Sequence, residues 1–104
     1  MNERRLRAVL VANRLEWRKH VLERLAEREI CQAAVLAVLD AGECIEDYPA
    51  DLPYPSALYL GWDGERPVHV VVALDEGNDG AYIITVYEPD LDHFESDYRT
   101  RRQR

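Results

Sequence analysis

The sequence predicts an α+β domain, in which N-terminal helices pack on an antiparallel meander of three to four strands. Apolar residues recur at helical spacing up to Ala41, and from Ser56 onward they follow a period of two. The short connections between the later strands, beginning with Asp63-Gly64, are typical of antiparallel hairpins. With 104 residues, of which 47% are hydrophobic, the chain has the size and composition of one domain with one core, over residues 1–104.

Three helices are predicted ahead of the meander. The first covers 3–12 and forms a helical extension of the domain. The second covers 16–29, because its apolar positions fall on one helical face; these positions are Trp17, Val21, Leu22, Leu25 and Ala26. The third covers 30–41, and Gly42 is expected to end it in the left-handed conformation of a helix cap.

Four strands and a closing helix follow in the prediction. The strands are placed at 43–48, 56–62, 67–74 and 81–88, and the last three form the meander. The spacing of Leu91, Phe94 and Tyr98 then predicts a short C-terminal helix. An arginine-rich tail at 99–104 is expected to be frayed.

His69 lies on the strand that the pattern predicts to be central, because both faces of that strand are apolar. A two-residue turn at Asp63-Gly64, or at Gly64-Glu65, places His69 on the face of Leu58 and Leu60, whereas a three-residue loop would place it on the opposite face. His69 is then either packed beside these aliphatic neighbours or exposed in a pocket at the edge of their layer. It can act as a general base, since its ordinary pKa of about 6.5 is near working pH, or it can be a core histidine bonded to a backbone carbonyl.

A basic stripe is predicted on the second helix. His20, Arg24 and Arg28 are four residues apart and therefore lie one turn above another on one side. Arginine forks match phosphate oxygens, so the stripe is a candidate phosphate-binding surface. The alternative is a solvated face whose charges pair with nearby glutamates, namely Glu16, Glu23 and Glu27.

Three hydroxyl groups on the meander form the remaining candidate set. Thr85 and Tyr87 share a face of the last strand, and Ser56 begins the first strand of the meander. Thr and Tyr are also good strand formers, which is the structural alternative. No Gly-rich phosphate loop, nucleophile elbow or zinc motif occurs, and Cys31 and Cys44 have no ligand-type spacing, so neither a metal nor a cofactor is predicted.

The net charge of −7 is unevenly distributed along the chain. Residues 1–30 have a net charge of +3, residues 31–97 a net charge of −14, and residues 98–104 a net charge of +4. Such asymmetry is typical of a basic face for a polyanion or of a solvated dipolar surface. No apolar run reaches the roughly 20 residues that span a bilayer, and no signal peptide is evident, so a cytoplasmic protein is expected.

Taken together, these stretches resemble a bacterial family known as domain of unknown function 4258. The resemblance covers about residues 15–102 with the order and spacing intact. It rests on Trp17–His20, Glu23–Arg28, Ile30, Val38–Leu39, Gly42–Glu43, Ile45–Pro49, Pro53–Ser56, Leu60–Gly61, Arg66–Ala73, Ile84–Pro89, Phe94, Asp97–Arg99 and Arg101–Arg102. The chain departs from the family at Glu29, where Gly is usual, and at Ala34, where a polar residue is usual.

The resemblance implies a small RelE-like or MqsR-like toxin domain and therefore a ribonuclease that needs no metal. RNA would be its substrate, and a zinc-finger, helix-turn-helix antitoxin would be its partner. It would use His69 or His20 as base or acid, and its candidate residues are His69, His20, Arg24 and Tyr87 for catalysis and Arg28, Thr85 and Ser56 for substrate binding. The competing hypothesis is a non-catalytic module that binds a partner protein in a groove or along a sheet edge. Convergence of His20, Arg24, His69 and Tyr87 in one groove would favour the enzyme, whereas a His69 sealed in the core with the arginines on separate faces would rule it out.

Overall fold

A computed structural model describes residues 1–103 of the chain. Within them three α-helices precede most of a five-stranded sheet. In chain order the elements are α1 (Glu3–Val11), β1 (Leu15–Glu16), α2 (Lys19–Arg28), α3 (Gln32–Ala41), β2 (Glu43–Tyr48), β3 (Ser56–Asp63), β4 (Arg66–Asp75), a 3₁₀ turn (Glu76–Asn78) and β5 (Gly80–Tyr87). The predicted α+β class is therefore confirmed.

The strands lie in the order β1-β5-β4-β3-β2. Strands β2 to β5 form an antiparallel meander, as predicted. Strand β4 is the central strand of the sheet and lies between β3 and β5. Strand β1 is an addition that the sequence pattern did not predict: Leu15 and Glu16 pair in parallel with Ala81 and Tyr82 of β5. Because these two residues are extended, the second helix begins at Lys19 rather than at residue 16.

The β3–β4 turn decides which face His69 occupies. Asp63 pairs with Arg66, so the two turn residues are Gly64 and Glu65, and Gly64 has a positive φ of 63°. His69 then pairs directly with Leu60. The predicted placement of His69 on the face of Leu60 is thus confirmed, with the turn at the second of the two predicted positions.

The two faces of the sheet are covered by different parts of the chain. The helices cover the face of Tyr59 and Val70 and form the main core with it. The opposite face, called the outer face below, contains Leu58 and His69, both fully buried. Residues 88–103, called the C-terminal segment below, cover the outer face over His69, through Phe94 and the backbone of Tyr98.

The predicted closing helix is wrong. Within the described residues the C-terminal segment contains turns and one antiparallel bridge, between Phe94 and Arg101. The Asp90 carboxylate accepts the backbone N–H of His93, and the Asp97 carboxylate accepts that of Thr100. Such local side-chain bonds satisfy the backbone in a turn and compete with helix formation.

Arginines of the predicted frayed tail contact the sheet. Arg99 makes an ion pair with Glu43, and the Nε of Arg101 lies 2.7 Å from Glu46 Oε2. Both glutamates belong to β2. The C-terminal segment is therefore attached to β2 by charges and to β4 by packing. Arg104 lies outside the described residues.

Gly42 ends α3 as predicted, but it is not left-handed. Its φ is −79° and its ψ is −178°, which is extended backbone. The reason for glycine is a close approach: a Cβ at this position would lie 2.3 Å from the Val38 carbonyl oxygen and 2.6 Å from that of Leu60. Glycine thus allows α3 and β3 to approach each other closely.

Glu29 occupies the left-handed position that ends α2. Its φ is 55° and its ψ is 44°, a conformation that glycine adopts without steric cost. A side chain there costs about 1–2 kcal/mol. The Gly that the family resemblance places at this position has the same physical explanation.

Replacement Glu29→Gly is expected to stabilise the protein by roughly 0.5–1 kcal/mol. The relief of the left-handed conformation exceeds the loss of about 0.4–1 kcal/mol from the extra freedom of glycine in the unfolded chain. Thermal and urea unfolding measure the change. Glu65→Gly, in the exposed β3–β4 turn and without a positive φ, is the matched control and should not stabilise; equal effects of the two substitutions would contradict the explanation.

Candidate functional site

Cross-strand pairing places most of the candidate residues on the outer face. Three rows cross β3, β4 and β5: Ser56–Ala73–Tyr82, Leu58–Val71–Thr85 and Leu60–His69–Tyr87. Paired residues share a face of a sheet. Ser56, Thr85 and Tyr87 therefore lie on the same side of the sheet as His69.

A β-bulge brings Tyr82 to this face. Val72 pairs with Ile83 and Val71 pairs with Thr85, so Ile84 is an extra residue in β5. A strict period of two would place Tyr82 and Thr85 on opposite faces. The bulge removes that difference, and Tyr82 joins the candidate site although sequence alternation excludes it.

His69 is enclosed between the sheet and the C-terminal segment, with 0% of its surface exposed. Its Nε2 lies 2.6 Å from the carbonyl oxygen of Tyr98, and its Nδ1 lies 3.2 Å from the hydroxyl of Tyr87. The ring of Phe94 packs edge-on against it at a centroid distance of 4.6 Å. His69 therefore has no direct access to a substrate, and of the two sequence-based alternatives the structure shows the one packed beside aliphatic neighbours.

Burial sets the protonation of this pair. Removal from water lowers the pKa of the His69 imidazole, and the hydrogen bond to the Tyr98 carbonyl opposes this effect only in part. Burial also raises the pKa of the Tyr87 hydroxyl. Both groups are therefore neutral at pH 7.

Two charged groups lie near His69, and they neutralise each other. Arg101 donates to both carboxylate oxygens of Glu46, at 2.7 and 3.1 Å. The guanidinium of Arg101 also lies 5.0 Å from the centre of the Phe94 ring. The Tyr48 hydroxyl donates to the same carboxylate, so Glu46 is the centre of a small network at the edge of the outer face.

His20 and Ser56 line one cavity, called the Tyr82 cavity below. Its volume is about 310 Å³. The remaining lining comes from the outer face, from the loop between β2 and β3 and from Arg18. The guanidinium of Arg18 lies 5.2 Å from the centre of the Tyr82 ring, and Tyr54 stacks on the same tyrosine with an interplanar angle of 4°. Ser56 donates to Asp51 at 2.7 Å, so its hydroxyl also holds this loop.

Arg28 and Tyr87 line a second cavity, called the Tyr87 cavity below. Its volume is about 430 Å³, and it is completed by Arg66, Glu88 and Asp90. Arg28 donates to the Val86 carbonyl at 2.6 Å, which holds the C-terminal end of α2 against β5. Arg66 pairs with Glu88 at 2.7 Å, so its charge is already balanced.

Helix α2 connects the two cavities. His20 belongs to the Tyr82 cavity and Arg28 to the Tyr87 cavity, and their separation of eight positions corresponds to about 12 Å of helix. Arg24 lies on the same stripe, one turn from each. It is exposed and pairs with Glu27 at 3.1 Å. The stripe of His20, Arg24 and Arg28 therefore runs alongside β5. Thr85 lies on β5 between Tyr82 at one cavity and Tyr87 at the other.

The candidate residues are thus brought together only in part. His69 contacts Tyr87, Tyr87 shares a cavity with Arg28, and His20 shares a cavity with Ser56. The predicted convergence of His20 and Arg24 with His69 in one groove does not occur, because His69 lies beneath the C-terminal segment while the two α2 residues are exposed. The position of a histidine on a central strand can be predicted from the sequence, but the segment that covers it cannot.

Arg18, Tyr54 and Tyr82 are site residues that sequence reasoning missed. Arg18 immediately precedes α2. Its position at the start of the helix that carries the basic stripe is the sequence feature that could have identified it as a site residue. Tyr82 was hidden by the bulge, and Tyr54 lies in an irregular proline-rich loop with no periodicity. Their grouping depends on tertiary contacts.

Charge along α2 is available to a ligand. Within residues 1–103, Arg18 and Arg28 make no ion pair. Arginines elsewhere are mostly neutralised by a carboxylate, as Arg7 is by Asp40 and Arg101 by Glu46. Two unpaired guanidinium groups therefore flank the β5 side of the sheet, one at each cavity.

The described residues show neither a cluster of metal ligands nor a membrane-spanning helix. Residues 1–103 contain no group of three or more His, Cys, Asp or Glu side chains placed to hold a metal ion. No helix in that part of the chain combines the length and apolar character that crossing a membrane requires.

Comparison with known proteins shows a match to a family model. The family model described as Domain of unknown function (DUF4258) matches residues 17–88. No curated protein and no solved structure matches the chain. The matched range contains all seven candidate residues and ends where the C-terminal segment begins.

Proposed function

This chain belongs to the domain of unknown function 4258 family, and we propose that it is a RelE-like, toxin-type ribonuclease that cleaves RNA without a metal ion. The observation that carries the proposal is the stripe on α2. His20, Arg24 and Arg28 follow β5 from the Tyr82 cavity to the Tyr87 cavity. An extended polyanion laid along β5 would contact both cavities and the stripe.

The side chains at the two cavities match the chemistry of single-stranded RNA. Single strands are bound by aromatic side chains that stack with bases and by cations that follow the backbone. Tyr82 and Tyr54 supply aromatic surface, and Arg18 and Arg28 supply charge that no carboxylate neutralises within the described residues. Because affinity for RNA comes mostly from such cations, their position can offset the repulsion expected from a net charge of −7.

In-line cleavage requires groups on both sides of the phosphate, because the attacking 2′-oxygen and the leaving 5′-oxygen lie on opposite sides of the phosphorus. A phosphate bound between Arg24 and Arg28 would have His20 toward one end of the stripe and Tyr87, in the cavity of Arg28, toward the other. In the proposal, the two arginines stabilise the phosphate, and His20 protonates the leaving oxygen. The Tyr87 oxygen accepts the hydrogen of the 2′-hydroxyl. Thr85 and Ser56 would position the strand.

Cleavage of a defined single-stranded RNA in EDTA tests this function. We expect the wild type to cleave, His20→Ala to reduce the rate by about 100-fold as for loss of an acid, and Arg24→Ala to reduce it about tenfold or more as for loss of a charged hydrogen bond. The readout is the rate constant at saturating protein.

The chain offers a matched control for the arginine. Arg7 on α1 is as exposed as Arg24 and, like it, pairs with a single carboxylate: the exposed fractions are 63% and 58%. Arg7→Ala should cleave as the wild type does. Absence of cleavage by the wild type, or equal rates for Arg7→Ala and Arg24→Ala, would count against the ribonuclease.

A second candidate function is a non-catalytic module that binds a partner protein. Exposed apolar side chains favour it: Leu52, which lines the Tyr82 cavity, is 86% exposed, and Ile84 beside it is 48% exposed. A zinc-finger, helix-turn-helix antitoxin is the partner that a toxin-like domain implies. Tight binding of such a protein with no RNA cleavage would favour the module.

A further inference from the structure

The hydrogen bonds of His69 determine its tautomer. A backbone carbonyl oxygen can only accept a hydrogen bond. Because the Tyr98 carbonyl oxygen lies 2.6 Å from Nε2, this nitrogen carries the hydrogen. In the neutral imidazole Nδ1 then has a free lone pair and is an acceptor.

The orientation of the Tyr87 hydroxyl follows from that tautomer. Its oxygen lies 3.2 Å from Nδ1 of His69, so the hydroxyl donates its hydrogen to the ring. The oxygen itself keeps its lone pairs for a group that enters the Tyr87 cavity, where Arg28 is a neighbour. A solvated tyrosine hydroxyl rotates freely and can donate or accept, whereas this one is held as an acceptor.

We propose that His69 is a positioning residue that acts through Tyr87, holding the phenol oxygen as the acceptor for the 2′-hydroxyl of RNA. This inference rests on the proposed function for its substrate. As the 2′-oxygen attacks phosphorus, its O–H bond breaks and the proton goes to the Tyr87 oxygen. The original Tyr87 O–H bond breaks in the same step, and that proton goes to Nδ1 of His69. Tyr87 stays neutral. As the bond from phosphorus to the 2′-oxygen forms, the bond to the leaving 5′-oxygen breaks and that oxygen takes its proton from His20, so one positive charge is gained at His69 as one is lost at His20.

The surroundings of His69 suit a residue that is neutral at rest and becomes charged only briefly. Glu46 on β2 and Arg101 in the C-terminal segment are the charged groups that act on it, with opposite effects on its protonation. Tyr87 of β5 and Leu60 of β3 are its neutral neighbours within the sheet. The Tyr98 carbonyl, which sets the tautomer, comes from the C-terminal segment and so lies beyond the matched range 17–88.

Nitrogen-15 NMR of the full chain tests the orientation without any substrate. At pH 7.5 we expect Nε2 of His69 to be protonated and Nδ1 to resonate as an unprotonated ring nitrogen. Tyr87→Phe keeps the ring and removes only the hydroxyl, so it should shift the Nδ1 resonance of His69 but not those of His20 and His93. An Nδ1–H tautomer, or an Nδ1 resonance that Tyr87→Phe leaves unchanged, would overturn the inference.

Cleavage rates test the proton path. Tyr87→Phe and His69→Gln should each slow cleavage by about 100-fold, because Gln can still accept the hydroxyl hydrogen bond but cannot take up the proton. The double variant should be no slower than the slower single variant, as for residues that act as a unit. Independent, multiplying losses would overturn the relay. Absence of cleavage by the wild type with the NMR signature intact would count against the ribonuclease and support the hydroxyl orientation.

Discussion

Gly42→Ala is expected to destabilise the protein by about 3 kcal/mol or more. The added Cβ would lie 2.3 Å from the Val38 oxygen and 2.6 Å from the Leu60 oxygen. Both are backbone atoms, so no side chain can rotate away, and α3 must move from β3. Inserting one carbon into a well-packed contact typically costs about 1–3 kcal/mol, and a shift of two backbone elements places this site at the upper end. Urea unfolding measures the loss.

Gly77→Ala is the matched control. A Cβ at Gly77 would have only one neighbour, the Asp75 Oδ1 at 3.6 Å, which is ordinary contact, and its φ is not positive. A change of about 0.5 kcal/mol or less is expected there, as for surface substitutions. If the two variants unfolded at the same urea concentration, close packing of α3 on β3 would not be the reason for Gly42.

His69→Ala is expected to destabilise the protein by about 2–4 kcal/mol at pH 7.5. The substitution removes a fully buried ring that packs against Phe94, and it leaves the Tyr98 carbonyl and the Tyr87 hydroxyl without their partner. Both a cavity and buried unpaired polar groups contribute to the loss. His93→Ala is the control, since the His93 side chain is 64% exposed and pairs with the exposed Asp90; its loss should be about 0.5 kcal/mol or less.

The difference in free energy of unfolding between the wild type and His69→Ala should become smaller as the pH falls. Burial lowers the pKa of His69 in the folded protein, while the unfolded chain has the ordinary value of about 6.5. Below that value the unfolded state binds a proton that the folded state does not, so the wild type loses stability as the pH falls from 7.5 toward the folded-state pKa. The alanine variant has no such titration. Urea unfolding of the wild type and of His69→Ala at pH 7.5 and 5.5 measures the effect. If their free energies of unfolding differed by the same amount at both pH values, burial would not lower the pKa of this histidine.

The C-terminal segment and the candidate site meet at His69 and Tyr87. His69 is enclosed because Phe94 and Tyr98 lie over it, and the ion pairs of Arg99 and Arg101 hold that segment on β2. The proposed substrate surface is on the other side of Tyr87, along α2. The C-terminal segment thus encloses His69 behind Tyr87, while its first residues, Glu88 and Asp90, help to line the Tyr87 cavity.

Sequence patterns were sufficient for the elements whose periodicity is sustained. Helices α1 and α3 and strands β2 to β5 were predicted to within a few residues, since each shows apolar residues at one clear period. The face of His69 was predicted for a two-residue β3–β4 turn, and the pairing of Asp63 with Arg66 shows that the turn has two residues and excludes the three-residue loop that would reverse the face. Strand β1, with two residues, is too short to show any period.

What the sequence by itself determined was the α+β class, the meander and the presence of a basic stripe on one side of α2. Tertiary structure alone decided what each stripe residue faces: His20 and Arg28 line different cavities, and His69 is covered. Two local features account for the difference between the predicted and the observed surroundings of the candidate residues. The Ile84 bulge changed which side chains share the outer face, and aspartate-centred turns replaced the expected closing helix and laid Phe94 on His69. Periodicity reports which face a residue occupies, whereas burial depends on which distant segment packs there, and that is decided by contacts between residues far apart in the chain.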